Sequence, residues 1–151
     1  GVVNLRFSEQ QSFTLPKGHF VIALSKLLES QNLTENLPHL ILRGSNHGTN
    51  YDLASIQAMH FKHKHFPALV TDCSHGNSGK DPLQQPHVLK QIIAERAESK
   101  VRGVMIESHL VDGNQKISCD MTYGQSVRDG CLGWDKTEQV LLDMAEQMRT
   151  L

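Results

Sequence analysis

No stretch of this chain approaches about 18 consecutive apolar residues, so the sequence offers no membrane-spanning helix. Its first residues, Gly1-Val2-Val3, carry neither a basic n-region nor an apolar h-region, and no signal peptide is expected there. An excess of one charge sign is also lacking: 15 Lys and Arg stand against 16 Asp and Glu, a formal net charge of −1. That balance gives no overall positive field for nucleic acid. Cysteine is scarce. Cys73, Cys119 and Cys131 are odd in number, far apart and without a CxxC pair, which excludes a disulfide framework and points to a reducing, cytoplasmic setting. The P-loop, the GxGxxG fingerprint and the Gly-x-Ser-x-Gly elbow are absent, leaving nucleotide-binding and serine-hydrolase readings unsupported.

What remains is an ordinary globular composition. The 151 residues are 38% apolar and 21% charged, and they suit one domain. A chain of this size buries about two thirds of its unfolded surface, so it can hold a real core. It is too short for a complete (β/α)8 barrel, which needs about 200 residues. The one unusual count is nine His, which first suggests a metal.

The chain divides at residue 39. In residues 1–38, Phe20 to Leu24 reads as a strand, or, extended through Leu28, as a helix; Thr34 to Pro38 is a polar break. From 39 to 151 the pattern is regular. Leu40-Ile41-Leu42 is a buried parallel strand. Asp52 caps a helix carrying Leu53, Ile56, Met59 and Phe61, which Pro67 stops. Ala68 to Thr71 forms a second strand, and a helix with Val88, Leu89, Ile92, Ile93 and Ala97 follows at 3–4 spacing. Val101 to Ile106 is a third strand. Asp112-Gly113-Asn114 signals a turn in the long loop after it. Asp135 and Glu138 open a last helix, in capping-box spacing, that carries Val140, Leu141, Met144, Ala145 and Met148; Trp134 precedes it as a packing anchor. The alternation implies βαβ crossovers and a parallel sheet, an α/β fold.

Arg43, His75 and Glu107 each follow an apolar strand, and they are spaced 32 residues apart, 43 to 75 and 75 to 107. Side chains at the carboxyl ends of successive parallel strands converge on the face where α/β folds place their chemistry. His75, Glu107 and a later Asp129 form a mixed N/O donor set that suits Mn, Fe, Co or Zn. The competing reading has His75 satisfying a loop and Glu107 pairing at the surface. Arg43, beside Gly44, is either an anion holder or an ion-pair partner for Asp72. His60, His63 and His65 form either a second metal cluster or a solvated helix face. Cys73 is either a fourth ligand or a small buried thiol, and His109 is a candidate support for the site.

Several stretches occur in a telling order. They are Leu42-Arg43-Gly44, Gly48 to Asp52, Asp72-Cys73-Ser74-His75-Gly76-Asn77-Ser78, Gly103 to Leu110, Gly113-Asn114-Gln115 and Tyr123 to Cys131. Together they resemble the C-terminal part of the type I 3-deoxy-D-arabino-heptulosonate 7-phosphate (DAHP) synthase family. The resemblance runs from about Leu40 to the C-terminus, and residues 1–38 read as an unrelated leader. It implies that the parallel βα units correspond to the last part of a (β/α)8 TIM barrel, incomplete in this chain. It also implies a divalent metal and condensation of phosphoenolpyruvate with erythrose 4-phosphate, the first step of the shikimate pathway. By resemblance, His75, Glu107 and Asp129 are metal ligands and Arg43 contacts phosphoenolpyruvate. Ser45 stands where many members have a second Gly. The family's fourth ligand, a Cys, and its Lys-Pro-Arg-Thr loop have no counterpart here. The alternative is an inactive remnant that binds metal or pairs with a full-length synthase; a homo-oligomer is a further expectation. No nucleic acid or membrane partner is expected.

Overall fold

The computed structural model of the chain describes residues 4–7, 39–62 and 68–149. Four strands, β1 (Asn4–Phe7), β2 (His39–Leu42), β3 (Ala68–Asp72) and β4 (Gly103–Met105), form one parallel sheet in the order β1-β2-β3-β4. The fold is mixed α/β with parallel strands. The family resemblance runs from about Leu40 onward, yet β1 lies upstream of it and joins the sheet with Leu5 opposite Leu40. The expectations at 20–28, at the break before Pro38, and at His63, His65 and Pro67 lie outside the described residues.

The helices are α1 (Leu53–Lys62), α2 (Gln85–Ala94), α3 (Arg96–Ser99) and α4 (Trp134–Arg149). Asp52 caps α1 as expected: its Oδ1 accepts the Ser55 N–H at 2.9 Å. Period 2 along the strands sends Leu40, Leu42 and Leu69 to one face, where Ile56 and Met59 of α1 close over them. Farther along that face, Cys73, Val104 and Ile106 pack with Val88, Leu89, Ile92 and Ile93 of α2 and with Val140 and Met144 of α4. Val101 joins both clusters. The opposite face carries Ile41, Val70, Asp72 and Met105.

Several expected core residues lie outside. Phe61 is 76% exposed. It follows Met59 by two positions, a rotation of about 200° in an α-helix, which turns it away from the sheet. Ala97 is exposed because Glu95 breaks the helix and α3 restarts in a new phase. The third strand is three residues, shorter than expected. Leu141, Met148 and Trp134 are exposed too. The α4 residues packed on the core cluster are Val140 and Met144, and Met148 lies one turn beyond them. Trp134 is the first residue of α4, its N–H donating to Leu110 O, and Asp135 therefore lies inside the first turn.

Asp112-Gly113-Asn114 is not a turn. It belongs to β5 (Val111–Asn114), which pairs in parallel with β6 (Gln125–Ser126). Gly113, at φ 81°, also bridges Cys131. The Asp112 carboxylate holds this segment against α4 by accepting from Gly133 N–H and Lys136. Those bonds, Lys136 first and Gly133 next, keep its carboxyl below the ordinary carboxylate value.

The loops after β2 and β3 meet backbone to backbone. A Cβ on Gly76 would lie 2.2 Å from Ser45 N and 2.5 Å from the Gly44 carbonyl carbon. Those atoms belong to the main chain and cannot swing aside. Gly76→Ala is therefore expected to destabilise the chain by about 1–3 kcal/mol. Gly48→Ala, where a Cβ meets nothing within 4 Å, should change stability by less than about 0.5 kcal/mol. Urea unfolding midpoints check the pair; equal midpoints would contradict the close approach.

Candidate metal centre

Asp72 ends β3, and the chain then turns sharply. Ser74 leads into a 3₁₀ turn over His75–Ser78, with His75 itself at φ 52°. That left-handed conformation is strained for a residue with a side chain, and it needs support. Asn77, 3% exposed, supplies it. Its Nδ2 donates to Leu42 O at 3.2 Å and Asp72 O at 2.9 Å, while its Oδ1 accepts the Asn50 N–H at 2.8 Å. The Asn77 N–H also reaches Arg43 O at 3.2 Å, and Asn50 Oδ1 accepts the Gly44 N–H at 2.8 Å. One buried amide thus ties the ends of two strands to the His75 turn.

The imidazole is oriented by Asp72. A carboxylate can only accept, so His75 Nδ1 carries the proton and donates to Asp72 Oδ2 at 2.9 Å. The other Asp72 oxygen accepts the Ser74 N–H at 2.9 Å. Nε2 is left facing Glu107 Oε1 at 3.3 Å and Asp129 Oδ2 at 3.6 Å. Ser74 Oγ donates to Glu107 Oε2 at 2.8 Å, which occupies one carboxylate oxygen and leaves Oε1 toward His75.

One donor atom from each of His75, Glu107 and Asp129 lies within 4.8 Å of the others. A neutral imidazole lone pair set against two carboxylate oxygens is repulsive without positive charge between them. A proton on Nε2 would answer this, and so would a cation. Two ligands each ~2.1 Å from one ion stand roughly 3.0–3.4 Å apart. The separations of 3.3 and 3.6 Å are close to that, and the Nδ1–H to carboxylate bond is the usual outer support of a metal-bound His. The residues fit a divalent cation. His75 and Glu107 are half-buried, and the Asp129 side chain is 69% exposed.

Asp129 rides on a loop fixed at both ends. Arg128 O accepts from Asn114 Nδ2 at 2.6 Å, and Cys131 exchanges two backbone bonds with Gly113. Arg43 is half-buried directly after β2, and among the described residues its guanidinium carries no ion pair. Asp72 is engaged by His75 and Ser74, so the Arg43–Asp72 pair is not formed.

The remaining candidates fall elsewhere. His60 Nε2–H donates to Ser99 O at 3.0 Å, a structural bond between α1 and α3. His109 is exposed, its Nδ1 accepting the Leu110 N–H, and it does not reach the donors. Cys73 faces the α2 side of the sheet, away from His75. Sequence reasoning missed the outer partners Ser74, Asn77 and Gln85, and offered Asp72 only as an alternative partner for Arg43, not for His75. The only hint in the sequence was polar residues crowded around His75 and just before Pro86.

A family model described as the DAHP synthetase I family matches residues 17–142, and so reaches into residues 1–38, upstream of the motifs that carry the resemblance. The chain is 41% identical over 124 residues to the phenylalanine-inhibited phospho-2-dehydro-3-deoxyheptonate aldolase of Saccharomyces cerevisiae, covering 73% of this chain and 34% of that one. It is 34% identical over 130 residues to the Tyr-sensitive aldolase of Escherichia coli, covering 81% of this chain and 36% of that one. A solved structure of the aldolase of this name from Francisella tularensis superposes with a TM-score of 0.69 at 38% identity, over 74% of this chain and 34% of that one. The chain spans about a third of the length of these relatives.

Burial pushes the Cys73 thiol up to about 12, with the Asp72 charge adding to it. At pH 8 it should resist iodoacetamide while exposed Cys119 is alkylated, as peptide mass spectrometry would read. The raised value also has a stability consequence. The contribution is intact below the unfolded thiol value near 9.0 and is lost as pH climbs from there toward 12. Cys73→Ala should flatten that alkaline decline in a pH series of melts.

Proposed function

The chain belongs to the DAHP synthetase I family, and from that membership we propose that it carries the metal-holding part of a 3-deoxy-D-arabino-heptulosonate 7-phosphate synthase. The reaction is the condensation of phosphoenolpyruvate with erythrose 4-phosphate, giving the seven-carbon sugar acid phosphate and inorganic phosphate. The observation that carries this is the convergence of His75, Glu107 and Asp129 beyond the carboxyl ends of parallel strands. The four-stranded sheet and its helices correspond, in this proposal, to the last part of a (β/α)8 barrel.

His75 Nε2, Glu107 Oε1 and an Asp129 oxygen would hold the cation. When bound, a divalent metal supplies Lewis-acid polarisation of a carbonyl oxygen. Asp72 keeps the His75 proton on Nδ1 and so keeps Nε2 available as a lone pair. Ser74 turns the Glu107 carboxylate so that one oxygen stays free. Arg43 holds phosphoenolpyruvate through its carboxylate or phosphate, the anions a planar guanidinium matches best. The donor chemistry suits Mn, Fe, Co or Zn alike.

A second reading is favoured by the β4 edge, which has a strand neighbour on only one side among the described residues. In it the chain binds metal but completes a synthase only by pairing, with its own copy or with a full-length chain, through that edge.

Calorimetric titration with Mn²⁺ tests the site. His75→Ala should weaken binding by more than about 100-fold, beyond the loss of an outer partner. Equal affinity for wild type and variant would remove His75 from the ligand set. A phosphoenolpyruvate-consumption assay with erythrose 4-phosphate and Mn²⁺ then separates the two readings. Turnover of about 1 s⁻¹ or faster by the chain alone supports the first, and turnover only on adding a full-length synthase supports the second.

A further inference from the structure

Glu107 lies past the end of its strand. The last rung toward β3 is Cys73 N–H to Met105 O at 2.9 Å. Two residues on, β3 no longer flanks the Glu107 peptide, because the chain after Asp72 has curled into the His75 turn. A backbone group in such a place needs a partner from elsewhere.

Gln85 provides it. It is the first residue of α2, followed by Pro86, and is 1% exposed. Its Oε1 accepts the Glu107 N–H at 2.8 Å, and its Nε2 donates to Glu107 O at 3.0 Å. A primary amide carries donor and acceptor side by side, so the pair of bonds grips both ends of one residue as a neighbouring strand would. The same Glu107 carbonyl also accepts the Leu132 N–H at 2.9 Å. Leu132 follows Asp129 by three residues, and Gln85 follows His75 by ten. The Glu107 backbone is therefore where the segments bearing all three donors are joined. The Gln85 side chain is buried and, among the described residues, bonded to nothing but the Glu107 main chain, and an apolar residue would be less costly at such a position unless the amide has a task.

We propose that Gln85 is a positioning residue that fixes the Glu107 main chain so that its carboxylate stands opposite His75 in the metal site. This rests on Glu107 being a ligand. Without the amide, the Glu107 peptide loses two of its three bonds and the carboxylate drifts from a geometry that a site must hold within about 0.5 Å.

The test uses the full 151-residue chain and Mn²⁺ alone, with wild type, Gln85→Met and Glu107→Gln titrated side by side. Gln85→Met should weaken Mn²⁺ binding about 10–100-fold, as loss of outer partners does, and should change the electron paramagnetic resonance line shape of the bound ion. If Glu107→Gln is impaired while Gln85→Met binds like wild type with an unchanged spectrum, the positioning role is overturned and Glu107 stays a ligand. If Glu107→Gln binds like wild type, the ligand assignment falls, and this inference with it. Should Gln85→Met fail to fold, the wild type decides through amide exchange. The Glu107 N–H, whose acceptor is a side chain, should exchange at least about 100-fold more slowly than an open loop amide, and exchange at loop rates would overturn the proposal.

Discussion

Two carboxylate oxygens crowd one imidazole nitrogen, at 3.3 and 3.6 Å, and the rest of the architecture holds that crowding in place. Left free, His75, Glu107 and Asp129 would separate, since neutral imidazole and ionised carboxylates offer one another only lone pairs. The chain prevents it with rigid supports that carry no charge of their own, plus one buried carboxylate. Asp72 fixes the imidazole, Ser74 fixes one carboxylate oxygen and Gln85 fixes the peptide behind it. The supports fix the tautomer as well: with Nδ1–H committed to Asp72, only Nε2 can turn toward the acids.

The parallel sheet makes this possible by bringing strand ends level. Register places Leu42 opposite Thr71, and Asp72 opposite Met105, so each chain leaves the sheet at the same height. Closing the loops onto one another then requires that nothing stand between them. Gly44, at φ 65°, and Gly76 meet in van der Waals contact of main chain on main chain. The Asn77 amide bonds across the junction. A side chain on either glycine would push the Arg43 and His75 loops apart and carry the donor nitrogen with them. The strain of His75 at φ 52° is sustained by the same set of bonds.

The sequence revealed the repeat and hid the supports, for a physical reason. Arg43, His75 and Glu107 were legible because each interrupts an apolar run at a constant interval, and apolar runs in parallel sheets are continuous. The cores of α1 and α2 were legible from 3–4 spacing, as Ile56, Met59, Val88, Leu89, Ile92 and Ile93 are all buried. Phe61 and Ala97 were not, since the first sits out of phase and the second follows a helix break that no Gly or Pro marks. Gln85 reads as an ordinary polar residue before Pro86, and only the approach of β4 from 22 residues away makes it an interior one. Of the two readings the sequence leaves for Arg43, the ion pair with Asp72 is the one that is not formed: charges on neighbouring strands are a natural pairing to draw, but His75, three residues on, folds back to claim the carboxylate. Asp129 owed its place to family resemblance; its loop has no periodicity to read.

The bonds that shape the centre are unusually local. From Asp72 to Leu132 the chain supplies all three donors, the Asp72 and Ser74 supports, Gln85 and the Leu132 bond to Glu107. Of these supports, among the described residues, only Asn77 bonds outside that span, to Leu42, Arg43 and Asn50. On the proposed assignment, metal affinity would be a property of two adjacent βα units and the loop that follows. Substrate handling is different in kind. Phosphoenolpyruvate carries a phosphate and a carboxylate, and erythrose 4-phosphate a second phosphate. Neutralising them takes several cationic groups, of which this face contributes Arg43 on the proposed assignment. On the proposed assignment, holding the ion and turning over the substrates are separable capacities: the first would rest on residues of a chain that spans about a third of its relatives' length, and the second on what completes β4, which has one strand neighbour among the described residues.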